Sequence, residues 1–141
     1  MAYLFKQKIN LADLVSSDIL PKRILIYEPE TYLAALYSHY LRLHNFDIKH
    51  CPDLRKVSEI IKSFQPHLLI FRADGPNPAF KIPGLISVLS RRFPDLRLIT
   101  IARDLSHQGI KDLMDAGVVS HLNRSLSRPQ DIAVLVKAIL Q

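Results

Sequence analysis

The sequence predicts an α/β domain built on a five-stranded parallel sheet, doubly wound so that helices cover both faces. Three observations predict it. From residue 23 onward, five apolar strand segments alternate with five amphipathic helical ones, the pattern of repeated β–α units. The third strand segment, Leu68-Leu69-Ile70-Phe71, carries no polar side chain, as a strand buried on both faces requires. The chain has 141 residues, enough for one compact domain with a real core and too few for two ordinary ones.

Ile24-Leu25-Ile26-Tyr27 is a short, continuously apolar first strand. A helix over residues 31–44 follows, with Leu33, Leu36, Tyr37, Tyr40 and Leu41 at the spacing of one buried face. Phe46, Ile48 and His50 alternate with polar residues, as in an outer strand. Asp53 is the expected N-cap of a helix whose inner stripe is Leu54, Val57, Ile60, Ile61 and Phe64. The central strand spans 67–72. A Pro- and Gly-rich loop then fills 73–84, with helix over 85–89. Pro94-Asp95 turns the chain into a fourth strand at 96–102. Ser106 caps a helix that buries Ile110, Leu113 and Met114 and stops at Gly117, a left-handed C-cap. Residues 118–122 form the last strand. Ser127 caps the final helix, with Pro129 in its first turn and Ile132, Leu135, Val136 and Ile139 facing inward. Residues 1–21 are an N-terminal extension to the domain at 22–141. In it Asn10-Leu11-Ala12-Asp13 opens a short helix carrying Leu11, Leu14, Val15 and Ile19. That helix is either an arm on its own domain or a segment pairing with another subunit.

Composition narrows the function classes. No apolar run approaches the roughly 18 residues that cross a bilayer. Met1-Ala2-Tyr3-Leu4-Phe5-Lys6 lacks the features of a signal peptide, so the expected location is cytoplasmic. Cys51 is the one cysteine, which excludes an internal disulfide and thiolate metal clusters. The net charge is +6, but the basic residues are scattered in pairs such as Lys22-Arg23, Arg55-Lys56 and Arg91-Arg92, the pattern of a solvated surface. His39, His44, His50, His67, His107 and His121 show no metal-ligand spacing, and no phosphate-binding glycine motif or nucleophile elbow occurs. The reading is a protein with no catalytic residue, no metal and no cofactor.

Several segments carry a resemblance. Pro66-His67-Leu68-Leu69-Ile70-Phe71-Arg72 has the shape of "P-D-L-I-L-L-D", Pro76 stands four residues after Arg72, and Lys22-Arg23-Ile24-Leu25-Ile26 looks like a matching first strand. Ala116-Gly117 and the strand after it look like "A-G-A-x-x-Y-L". Over residues 22–141 the chain resembles the receiver domain of bacterial two-component response regulators. The resemblance implies a flavodoxin-like sheet in the order 2-1-3-4-5 and a signalling role, with Gln141 at the natural end of a receiver and an effector domain possible beyond it. The family's catalytic positions depart from the pattern. Its Mg²⁺-binding acidic pair matches Glu28-Pro29, its phosphoacceptor aspartate Arg72 and its hydroxyl Ala102. Its lysine matches Arg124, followed by Ser125 instead of proline, and its switch aromatic matches His121. A guanidinium accepts no phosphoryl group, and one carboxylate facing Arg72 and Arg124 leaves a net positive site that repels Mg²⁺. Because the C-terminal ends of such strands converge, Glu28 or Glu30 is expected to pair with Arg72. Asp74, two residues past the strand, is a poor substitute acceptor.

These departures define a degenerate receiver acting independently of phosphorylation. The leading expectation is a protein–protein interaction module, either a homodimer or bound to a protein partner. Its surface would be the one bearing Lys111, Asp112, Asp115, His121, Asp131 and Lys137. The alternatives are an anion pocket formed by Arg72, Arg103 and Arg124, and nucleic-acid binding through the basic surface or an attached domain.

Overall fold

The computed structural model describes residues 20–75 and 81–141. The strands are β1 (Arg23–Tyr27), β2 (Asp47–Cys51), β3 (Leu68–Arg72), β4 (Arg97–Ala102) and β5 (Ser120–Asn123). All neighbours pair in parallel, in the expected order β2-β1-β3-β4-β5. The helices are α1 (Thr31–Arg42), α2 (Val57–Phe64), α3 (Ile82–Arg92), α4 (His107–Ala116) and α5 (Pro129–Leu140).

Successive strand side chains point to opposite faces, so one apolar run builds two cores. Ile24, Ile26, Leu68, Ile70, Ile99 and Ile101 pack against Tyr37 and Leu41 of α1 and Ile132, Ala133 and Val136 of α5. Leu25, Tyr27, Leu69, Phe71 and Leu98 meet Val57 and Ile61 of α2, Ile82, Ile86 and Leu89 of α3, and Leu113 of α4. β3 is buried at every position, including Arg72. Edge strand β2 alternates exposed Asp47 and Lys49 with half-covered Ile48 and His50. Asp53 caps a short 3₁₀ turn, Leu54–Lys56, by accepting from the Arg55 N–H, and α2 follows directly.

Several boundaries and burial assignments are corrected. α1 ends at Arg42, because His44 and Asn45 donate back only three residues and Asn45 takes φ 62°. Its buried face is Ala34, Tyr37, Ser38 and Leu41, while Leu33, Leu36 and Tyr40 are half-buried on its flanks. α3 starts at Ile82, not Leu85: Pro83 sits in the first turn, where a missing N–H breaks no helical bond. In α4 only Leu113 is buried, and Met114 is 43% exposed. β5 begins at Ser120, with Val119 turned outward although its N–H reaches the Leu98 carbonyl. Arg128, not Ser127, caps α5, and the Asp131 carboxylate accepts the Arg128 N–H at 2.7 Å. Gly117 has φ +123°, and a Cβ there would lie 2.4 Å from Ser90 Oγ, so α3 and the end of α4 approach only over glycine. The short helix expected within residues 1–21, and Pro76, lie outside the described residues.

Candidate functional site

The C-terminal ends of β1, β3, β4 and β5 form one rim, and the residues singled out by sequence lie along it. Glu28 follows β1 and is fully buried, its N–H held by the Cys51 carbonyl at 3.2 Å. Arg72 closes β3. Its Nη1 donates to Glu28 Oε2 at 2.8 Å and Oε1 at 3.1 Å, while its Nε donates to Asp74 Oδ1 at 2.5 Å. Glu30 adds a looser contact, 3.6 Å from Nη1. Glu28 Oε2 also accepts the Glu30 N–H at 2.9 Å, so two residues of the β1–α1 loop orient the pair, with Pro29 between them. The remaining Asp74 oxygen accepts the Arg103 N–H at 3.0 Å.

One guanidinium therefore faces three carboxylates, those of Glu28, Glu30 and Asp74. This overturns the expectation of a net positive centre. Asp74 and Glu30 both turn toward Arg72, and Arg124 acts on Asp74 only at longer range. Burial alone would raise the Asp74 carboxyl, but the Arg103 N–H and the Arg72 guanidinium outweigh it and hold it below the usual carboxylate range. Among the described residues, no group of three His, Cys, Asp or Glu is placed to hold a metal ion. The space between the carboxylates is filled by the Arg72 side chain.

Ala102 ends β4 with a fully buried methyl group, and its carbonyl accepts the Arg124 N–H at 2.8 Å. The nearest β4 hydroxyl is Thr100, two residues back and also fully buried, whose Oγ1 lies 2.8 Å from His121 Nδ1 on β5. Sequence reading missed this pair. Strand register held the signal, because Thr100 and His121 are direct partners in the β4–β5 ladder. His121 Nε2 is buried without a hydrogen-bond partner among the described residues. Burial lowers the affinity of that imidazole for a proton, with Asp74 opposing.

The three arginines expected to converge do not. Arg72 turns into its carboxylate cluster. Arg103 and Arg124 instead line a separate cavity of about 140 Å³ beside α1 and α5, together with Arg128 and Tyr37. The α4 and α5 charges proposed for an interface are largely engaged within their own helices. Lys111 Nζ is 2.8 Å from Asp115, Gln108 donates to Asp112, and Asp131 takes the Arg128 guanidinium at 3.3 Å. Lys137 is exposed.

No protein-family profile matches the sequence, and no curated protein matches it. Solved structures do match in fold. An orphan response regulator of H. pylori superposes with a TM-score of 0.76 at 10% identity, over 85% of this chain and 97% of that one. A CheY-like response regulator receiver domain protein from Methanospirillum hungatei gives 0.75 at 18% identity, over 85% and 94%. A response regulator from Thermotoga maritima gives 0.76 at 15% identity, over 86% and 98%. The chain thus has the fold of receiver domains. No helix among the described residues is long and apolar enough to cross a membrane.

Proposed function

We propose that this chain is a non-enzymatic regulatory module of receiver type that works without aspartyl phosphorylation, presenting one constant surface to a second copy or a protein partner in the cytoplasm. The observation that carries the reading is Arg72. By the sequence resemblance it takes the phosphoacceptor's position, and its guanidinium is held between Glu28 and Asp74, the carboxylates a metal ion there would need. Ala102 offers no hydroxyl and Pro29 no second carboxylate.

The surface favoured for association is α4, β5 and α5. Met114 of α4 and Val134 of α5 are exposed there, as are Val119 just before β5 and Leu126 just after it, and the same elements carry the exposed charges of Lys111, Asp115 and Lys137. Exposed large apolar side chains mixed with charges are the composition a protein contact uses. Light scattering across a concentration series tests the proposal. The expected result is association that is unchanged by Mg²⁺ or a phosphodonor and weakened by Val134→Glu. Association that appears only with a phosphodonor contradicts it.

A further inference from the structure

The cavity bounded by Arg103, Arg124 and Arg128 is lined by none of Arg72, Glu28 and Asp74, although the Arg103 N–H reaches Asp74, and its lining has a definite chemistry. Its floor and walls are Leu33, Tyr37, Ile101 and Ile132, and Ser127 contributes a hydroxyl at its edge. Among the described residues, no aspartate or glutamate lines it. Among the described residues, neither Arg103 nor Arg124 forms an ion pair, and Arg128 shares its guanidinium with Asp131 alone. Two guanidiniums outside any ion pair and a third shared with Asp131 leave the recess with an excess of positive charge, which favours an anion. Tyr37 supplies a phenol that burial keeps protonated, its pKa pushed up to about 12 although Arg124 pulls it down. That phenol is a hydrogen-bond donor at any physiological pH.

We infer that this recess binds the phosphoryl group of a small phosphate monoester. Size and charge select that class. Guanidinium forks match phosphate oxygens in bidentate geometry, and a dianion neutralises what a single carboxylate would leave in excess. At about 140 Å³ the recess is smaller than the pockets of about 300 Å³ or more that enclose drug-sized ligands. It therefore holds the phosphoryl head and a few apolar atoms against Leu33, Ile101 and Ile132, and a complete nucleotide would not be enclosed. The inference goes beyond the proposed function and does not depend on it.

The test is calorimetric titration of the whole chain with inorganic phosphate, glycerol phosphate and a phosphoserine peptide, against chloride at matched ionic strength. The expected result is saturable binding of glycerol phosphate, weakened at least about tenfold in R103Q and in R124Q, the weight of one charge-assisted contact. R55Q, whose guanidinium pairs with Asp53, should bind like the parent chain. Arg103 is exposed, so R103Q keeps the test valid even if R124Q folds poorly. Tightest binding of glycerol phosphate assigns the group to a free small molecule; tightest binding of the peptide assigns it to a modified chain. No saturable binding beyond the chloride control, or equal affinity in the parent chain and R103Q, overturns the inference. Either failure would leave the phosphodonor and association results for Arg72 untouched.

Discussion

Replacing Arg72 by Met removes the charge while keeping a long apolar stem at the end of β3, and the structure sets the size of the effect. Glu28 is 0% exposed and receives two bonds from Arg72 Nη1, at 2.8 and 3.1 Å. Without Arg72 its only bond among the described side chains is the Glu30 N–H. A carboxylate so stranded costs about 3–5 kcal/mol, the usual penalty for breaking a buried pair from one side. Asp74 adds little, because it is partly exposed and keeps the Arg103 N–H. We therefore expect R72M to lose about 3 kcal/mol at neutral pH, equivalent to roughly 10 °C in Tm for a domain of this size. Urea unfolding should show a lower midpoint with an unchanged slope. Adding Glu28→Gln should recover most of the loss, since removing both partners of a buried pair is often close to neutral. A change below about 0.5 kcal/mol in R72M would place the pair in solvent-like surroundings and refute the reasoning.

Two further perturbations follow. His121 has its proton affinity lowered by burial, so as pH falls the unfolded chain takes up its proton first, near the ordinary value of about 6.5. Its stabilisation is complete above that pH and lost as pH falls toward the lowered folded value. The stability lost between about pH 7.5 and 5.5 should be smaller in His121→Gln than in the parent chain, with part remaining because His67 is shifted the same way. Gly117→Ala combines φ +123° with a Cβ placed 2.4 Å from Ser90 Oγ and should cost about 1–3 kcal/mol. Gly117→Ala combined with Ser90→Gly should recover only the steric part, as read by urea unfolding.

The sheet was legible because its evidence is local. Leu68 to Phe71 is apolar without interruption, and strands alternating with amphipathic helices leave few topologies open. The Arg72–Glu28 pair was legible for a related reason: parallel strands bring their C-terminal ends together, and a buried charge at one end needs a partner at the next. Less local features escaped. Asp74 turns back onto Arg72 through the conformation of the loop after β3, which residue spacing does not encode. The Thr100–His121 bond depends on register between β4 and β5, and the arginine cavity depends on how the β5–α5 loop and Arg128 sit beside α1. Helix burial was overread in α1 and α4, because periodicity reports an apolar stripe without reporting how wide a strip the sheet covers.

The central proposal is that this receiver fold works without phosphoryl chemistry, and exposure to a phosphodonor tests it most directly. The chain would be incubated with acetyl phosphate and Mg²⁺ and its intact mass measured. The account predicts no added phosphoryl mass, since it proposes Arg72 at the acceptor position, and the neighbouring Glu28 and Asp74 are held in ion pairs. A stoichiometric adduct that is labile to base and maps to Asp74 or Glu28 would contradict it.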